Sequence, residues 1–373
     1  MTLSPLTARP ASQQKPERVV LFIIDGLHTD APARLKMPNF TELTREGALI
    51  EKTTVIMPGH PTHGGYAEVH SSSFPNPVMM TGTVFLTPDQ RMLQHSFDNS
   101  AFIANTLSYR SITDGYRFVV QRSGPDEFSV DKAVDILRGN DPEFTRIHLQ
   151  MTGDAGYQVY SAENSPPYRH NIWHEVSPYV QAAEEADRQL GRFISALKEM
   201  GKWEGTLLVV TSDHGQTESG WHPLLPEDSW LHPTVFHGPG IRQGHTTEWA
   251  DQTDLAPTIA DIMQVEIPNE DGGGGVVLES VRQTGTGSSG TSPSRLYKLN
   301  SVIARYLRAE AELLLNSAER PWLNSYAMIA ERNFYGLDRI MDWNELDSVD
   351  ALIRHNRKIA EGMERQLEEP DRK

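Results

Sequence analysis

A mostly parallel α/β sheet followed by a helical C-terminal extension is the fold class that this chain predicts. Three observations predict it. Between about residues 18 and 265, short apolar runs alternate with helix-like segments, the pattern of a three-layer α/β/α sandwich. Two of the runs, 19–24 and 207–211, lead into acidic residues, at Asp25-Gly26 and at Asp213-His214-Gly215. From Arg295 onward the strand-like runs give way to helical periodicity.

The strand candidates are residues 19–24, 116–120, 146–151, 207–211 and 233–236. The clearest helix is 178–200, whose apolar residues Tyr179, Ala183, Ala186, Leu190, Phe193, Leu197 and Met200 recur every three or four positions. Shorter helices are expected over 38–46 and 254–263. Residues 272–275 and 284–294 are rich in Gly, Ser and Thr and read as connections. The segment 296–318 is strongly helical, Pro321 breaks the pattern, and two or three further helices are expected up to residue 369. The organisation expected is a polar N-terminus (1–17), a main domain (18–283), a linker (284–294) and the helical extension (295–373). That extension carries Trp322, Tyr326, Phe334, Tyr335 and Trp343, which would pack it on the main domain, on a second subunit or along a substrate cleft.

With 373 residues, the chain can build one large domain plus an appendage. Its net charge of −16 argues against a broad basic face, so no nucleic-acid polymer is expected as a partner. An anionic substrate then needs local positive charge, which bound cations can supply. There are no cysteines, which excludes disulfides and thiolate metal sites. No run of 18 apolar residues occurs, so no membrane span is expected. Residues 1–17 have no apolar core of a secretory signal, and cytoplasmic location is the expectation.

The chemistry starts at Thr211-Ser212-Asp213-His214-Gly215-Gln216. A buried strand ending in Asp-His places a carboxylate and an imidazole at a sheet's edge, where open α/β sheets carry their sites. Together they are a ligand pair for Zn²⁺ or Mn²⁺. A plain strand-to-loop turn is the simpler reading, but Asp25 stands at the end of a second buried run and weakens it. After 53–56 comes Met57-Pro58-Gly59-His60-Pro61-Thr62, a loop whose hydroxyl is a nucleophile if a metal activates it.

These segments form an ordered series. Asp25-Gly26 is followed by Pro38-Asn39-Phe40 with Leu43 and Glu46-Gly47, and then by Pro58-Gly59-His60-Pro61-Thr62. Ser212-Asp213-His214-Gly215, Gly238-Pro239-Gly240-Ile241 and Asp254-Leu255-Ala256-Pro257-Thr258-Ile259 complete it. The series resembles the alkaline phosphatase superfamily, most of all its branch of type I phosphodiesterases and nucleotide pyrophosphatases, over roughly residues 18–280. The resemblance implies the alkaline phosphatase-like sandwich, two divalent metal ions (zinc, with manganese as the alternative) and a phospho-Thr62 intermediate. Asp25, Thr62, Asp213 and His214 would hold one ion. Asp154 and His222 match the second site, with His232 and His237 as nearby alternatives to His222. The family usually has a His four residues after this Asp, where this chain has Gln158. Residues 158–169 then read as an insertion, and His170 or His174 would be the missing ligand, with Trp173 beside it. Asn76 matches a residue that donates to a phosphoryl oxygen, although Pro75-Asn76-Pro77 is also a simple turn.

Sulfatases are cousins in this superfamily. They need a Cys or Ser converted to formylglycine in a Cys/Ser-x-Pro-x-Arg motif. The chain has no Cys, and Thr291-Ser292-Pro293-Ser294-Arg295 only mimics the spacing, in the linker. The expected function is a two-metal phosphohydrolase acting on a small anionic phosphate ester, either a phosphodiester or a nucleotide-type pyrophosphate. The alternatives are a phosphomonoesterase, a phosphonate hydrolase, or a non-catalytic binding protein with a degraded second metal site. The C-terminal helices are the candidate surface for a homo-oligomer.

Overall fold

The computed structural model describes residues 15–57, 69–71, 91–109, 112–268, 277–283, 291–334 and 348–368. Its strands are β1 (Arg18–Ile24), β2 (Ala48–Thr54), β3 (Ser100–Ala104), β4 (Phe118–Gln121), β5 (Phe144–Leu149), β6 (Thr206–Thr211), β7 (Leu231–His237) and β8 (His245–Asp251). They form one sheet in the order β4-β3-β5-β1-β6-β7-β2-β8. Every strand but β7 runs in the same direction, and β7 is antiparallel to both of its neighbours.

The helices are α1 (Ala31–Arg34), α2 (Pro38–Glu46), α3 (Asp126–Asn140), α4 (Met151–Tyr160), α5 (Pro178–Glu199), α6 (Leu255–Met263), α7 (Arg295–Asn316), α8 (Trp322–Phe334) and α9 (Ser348–Glu368). Strand β1 is central and buried on both faces, which is why its sequence is an unbroken apolar run. Val20, Phe22 and Ile24 pack under α2, α3 and α5. Val19, Leu21 and Ile23 face the opposite core, where α6 and residues from 92–116 cover the sheet. The three-layer α/β/α arrangement read from the sequence is the one observed.

Strands β2, β3 and β8 were not among the expected ones. The sequences ALIEKTT and HTTEWAD alternate with polar residues near the sheet's edge, and SAFIA is short, so none of them carries the signal of a buried run. Helices α3 and α4 were likewise unanticipated, and Met151, read as the end of a strand, opens α4. The C-terminal helices α7, α8 and α9 share an apolar core with Val55, Ile56, Met57 and Trp230 of the sheet region. Residues 272–275 and 284–290, and Tyr335 and Trp343, lie outside the described residues. Among the described residues no helix is long and apolar enough to cross a membrane.

The Pro38-Asn39-Phe40 motif has a structural cause. Proline starts α2, and the next two amides belong to the first turn, which has no partners inside the helix. Buried Asp187 of α5 supplies them, its Oδ1 accepting from Phe40 N at 2.8 Å and its Oδ2 from Asn39 N at 3.1 Å. The Asn39 side chain donates to the same Oδ2 at 2.9 Å. We predict that Asp187→Ala lowers the free energy of unfolding by about 1–3 kcal/mol, because it strands buried donors. An unchanged midpoint in urea denaturation would contradict this account of the motif.

Candidate active site

Parallel pairing decides which residues meet. Strand β1 lies between β5 and β6, with Ile24 opposite Leu149 and Ile23 opposite Thr211. The residues that follow each strand therefore emerge side by side, Asp25 beside Gln150 on one flank and Ser212-Asp213 on the other. The backbone after β1 turns at Gly26, where φ is +60°. The Gly26 amide donates to Asp213 Oδ1 at 3.2 Å, and the Leu27 amide to Ser212 Oγ at 3.0 Å. Ser212 Oγ in turn donates to the His214 carbonyl at 2.7 Å.

Asp25, Asp213 and His214 are buried, and one ligand atom from each lies within 4.8 Å of the others. His214 Nδ1 is 2.8 Å from the Gly215 carbonyl, which can only accept, so Nδ1 carries the proton. In the neutral ring the lone pair is then on Nε2, and it faces Asp213 Oδ2 at 3.4 Å and Asp25 Oδ1 at 3.9 Å. Neither His214 Nε2 nor Asp213 Oδ2 has a hydrogen-bond partner among the described residues. Two carboxyl groups and an imidazole nitrogen without a partner among the described residues converge in one buried space, a donor set that suits a divalent cation. A Gly215 carbonyl fixing the ring through its other nitrogen is the usual support for a metal-ligating histidine.

Burial, and then the charge of Asp213, push the Asp25 carboxyl well above its ordinary value. Burial also acts to raise Asp213, but a proton on neighbouring His214, together with the Gly26 amide, acts to hold that carboxyl below the ordinary value. Asp25 Oδ2 receives the Tyr109 hydroxyl at 3.1 Å and stands 3.3 Å from His148 Nε2. His148 Nε2 also lies 3.2 Å from Gln150 Oε1, so both of its neighbours are acceptors and it is the N–H tautomer at that nitrogen. Burial, helped by the Arg146 guanidinium, lowers His148 to about 3 and keeps the ring neutral. Sequence reasoning missed Tyr109 and His148. The one signal for His148 was an imidazole inside the otherwise buried strand β5, directly before its last residue.

The other predicted residues fall in different places. His222 is buried, with its ring centroid 3.9 Å from that of His214. Trp221 stacks behind it at 4.1 Å and meets Tyr157 of α4 at 4.8 Å, so an aromatic row runs outward from the centre. Trp221 holds φ at +63°, a strained value for a bulky residue. Thr217 secures it, with its amide donating to the Trp221 carbonyl at 3.0 Å and its hydroxyl donating to the Gly220 carbonyl at 2.6 Å. Asp154 is on the exposed side of α4 and accepts from Gln150 Nε2 at 3.2 Å. Helix α4 runs unbroken through Gln158. Beyond it, His170 Nε2 sits 3.0 Å from the Tyr160 carbonyl, and His174 Nδ1 accepts from Val176 N at 3.4 Å. Neither joins the three-residue group. Trp173 packs edge-on against His28 at 4.7 Å, under the Arg34 guanidinium. Both nitrogens of His232 are engaged, Nε2 with Gln252 and Nδ1 near Thr211 and Pro233, while His237 lies at the opposite end of β7. Thr62 and Asn76 lie outside the described residues.

A family model described as Sulfatase matches residues 67–265, a stretch that contains Asp154, Asp213, His214 and His222 and begins after Asp25 and Thr62. Among curated relatives, the bis(5'-adenosyl)-triphosphatase ENPP4 of Bos taurus is 23% identical over 253 residues, covering 61% of this chain and 53% of its own. The matched stretches span 16% to 53% of the length of the first curated relatives. Among solved structures, an inactive murine ectonucleotide pyrophosphatase/phosphodiesterase 5 in complex with AMP has a TM-score of 0.52 at 15% identity, covering 67% of this chain and 96% of its own. The phosphonate monoester hydrolase of Agrobacterium radiobacter has a TM-score of 0.59 at 16% identity, covering 73% of this chain and 78% of its own. At these identities the solved structures establish the shared fold.

The centre depends on α4 coming very close. A Cβ built on Gly153 would stand 1.8 Å from Asp25 Oδ1, and one on Gly156 would stand 1.9 Å from Gln216 Nε2. Gly153→Ala should therefore push Asp25 out of register with Asp213 and His214. We predict at least tenfold weaker binding of Zn²⁺ or Mn²⁺ by calorimetry. Gly139→Ala, where nothing lies within 4 Å of an added Cβ, should bind as the parent does. Equal affinities for the parent and both variants would contradict the convergence.

Proposed function

The chain belongs to the sulfatase family of the alkaline phosphatase superfamily, and we propose that it is a metal-dependent phosphohydrolase whose Thr62 carries the phosphoryl group between two chemical steps. The favoured substrate is a small phosphodiester or a nucleotide-type pyrophosphate. One observation carries the reading: the buried His214 Nε2, which has no hydrogen-bond partner among the described residues, faces the Asp25 and Asp213 carboxyl groups.

Asp25, Asp213 and His214 are the proposed holders of the first cation. A cation bound there supplies positive charge for the oxygens of the reacting ester. Tyr109 donates to Asp25 Oδ2, and His148 Nε2 stands 3.3 Å from the same oxygen; both flank that carboxyl group. In the first step the Thr62 hydroxyl oxygen loses its proton and bonds to phosphorus while the bond to the leaving oxygen breaks, and that oxygen departs as an alcohol or phosphate that takes up a proton. Water then hydrolyses phospho-Thr62 and restores the hydroxyl. Asn76 is the proposed donor to a phosphoryl oxygen. Asp154 and His222 begin a second cation site, with His170 or His174 as its third donor. Completing it requires that histidine to give up its contact with Tyr160 or Val176.

Sulfate esters are the second reading, favoured by the family match itself. Against it stand the absence of cysteine and a threonine at the nucleophile position. Thr291-Ser292-Pro293-Ser294-Arg295 has a structural duty instead, since Ser294 Oγ caps α7 by accepting from Tyr297 N at 3.3 Å.

Two measurements test the proposal. Thr62→Ala should lower kcat at least a hundredfold, about 2.7 kcal/mol of barrier, and should remove the phosphorylated peptide seen by mass spectrometry after a quench during turnover. Retention of more than a tenth of the parent kcat would rule out the covalent route. In the second measurement, enzyme loaded with Zn²⁺ or Mn²⁺ is assayed with bis-4-nitrophenyl phosphate, 4-nitrophenyl phosphate, a phenylphosphonate ester and 4-nitrophenyl sulfate. The diester should turn over fastest, and a chelator should abolish turnover until metal is restored. A faster rate on the sulfate would replace the phosphate reading with the second one.

A further inference from the structure

The C-terminal helices reach the main sheet at one informative point. Strand β2 ends at Thr54, and its chain leaves the sheet at the edge that carries Asp25 and Asp213. Val55, Ile56 and Met57 follow, all buried, and Thr62 lies five residues beyond Met57. Asn300 of α7, itself fully buried, holds this exit. Its Nδ2 donates to the Val55 carbonyl at 2.7 Å, and its Oδ1 accepts from the Met57 amide at 2.9 Å. On its other side, the Val55 amide donates to the Trp230 carbonyl at 2.9 Å.

A side-chain amide offers a donor and an acceptor on adjacent atoms in fixed relation, which suits a carbonyl and an amide two residues apart. The helix that presents it is tied to the same edge. Ser294 Oγ lies 3.0 Å from Thr54 Oγ1, and Leu296 N donates to Asp251 Oδ1, at the end of β8, at 3.0 Å. Asn300 stands about one turn further along this anchored helix. A catalytic hydroxyl must be placed within a fraction of an ångström, and a shift of about 1 Å can cost on the order of a hundredfold in rate. An anchor five residues upstream limits the paths open to it.

We propose that Asn300 is a positioning residue: through its clamp on Val55 and Met57, the C-terminal helices set the direction in which the chain leaves β2 toward Thr62. The proposal rests on the function proposed above, in which Thr62 is the nucleophile.

The test compares three variants of the full chain. Asn300→Leu removes both hydrogen bonds. Asn300→Asp is nearly isosteric and keeps the acceptor but loses the donor. Arg305→Ala, on the same helix, breaks the ion pair with Glu364 inside the extension and leaves residues 54–57 untouched. Each is assayed with the ester that the parent turns over fastest, together with its metal content, its urea midpoint and amide hydrogen exchange over 55–57. For the Asn300 variants we expect kcat to fall at least tenfold, KM to stay within threefold, metal content to be unchanged and exchange at Met57 to accelerate. Arg305→Ala should lower the urea midpoint and keep kcat within twofold. The proposal is overturned if Asn300→Asp keeps kcat within twofold, or if Arg305→Ala loses as much kcat as the Asn300 variants. Should Asn300→Leu fail to fold, Asn300→Asp decides. Thr62→Ala runs alongside: if it stays active the nucleophile assignment fails, while the Asn300 variants still judge the clamp on kcat.

Discussion

Two carboxylates and an imidazole lone pair share one buried space at the edge of the sheet, and much of the neighbouring structure exists to hold them there. Left to themselves, Asp25 and Asp213 would separate or take up a proton. Their surroundings prevent separation. The Gly26 amide holds Asp213 Oδ1, Tyr109 and His148 hold Asp25 Oδ2, and the Gly215 carbonyl turns His214 so that Nε2 points inward. Gly153 then lets α4 close over Asp25 with no side chain in between. Each contact is modest alone, at about 1 kcal/mol for an ordinary hydrogen bond. Together they keep the three groups converged in one buried space.

The sheet makes this possible because its strands are parallel where it matters. Strands β5, β1 and β6 end at the same edge, so three sequence-distant chain ends are delivered within reach of one another. The antiparallel strand β7 starts at that edge, but its His232 is absorbed into a buried network with Gln252, Thr211 and Thr234. Gln252 Nε2 donates to the Asp213 carbonyl at 3.3 Å, so this network supports the centre from behind. The C-terminal helices do the same for the far end of β2, where Asn300 and Trp230 grip the departing chain from two sides.

What could be read in advance follows from what periodicity reports. The runs at β1 and β6 were visible because strands buried on both faces are largely apolar without interruption. Strands β2 and β8 were not, because more than half of the residues in each are polar and leave no such run. In the centre, Asp25, Asp213 and His214 were legible as residues standing at strand ends. Tyr109 was not, because it comes from a loop between two strands whose place in the sheet no local pattern states. His148 was hidden for another reason: inside a buried strand, a histidine looks the same whether it is a packed ring or stands beside a carboxyl group of the candidate site. His170 and His174 were singled out by their position after Asp154, yet their rings turn to Tyr160 and Val176, because the chain after α4 folds back on that helix.

The sequence alone determined that the chain is an α/β sandwich with a helical extension, and that acidic and histidine residues end its buried strands. Those properties are local, written in the spacing of apolar residues and in the residues that follow each run. Only the tertiary structure decided that Asp25 and His214 face each other, that α4 passes within contact of Asp25, and that Asn300 reaches back to Val55 and Met57. Strand order, register and the close approach of helices set these meetings. They join residues roughly 130 to 250 positions apart, and no local pattern in the chain records which distant residue a side chain will meet.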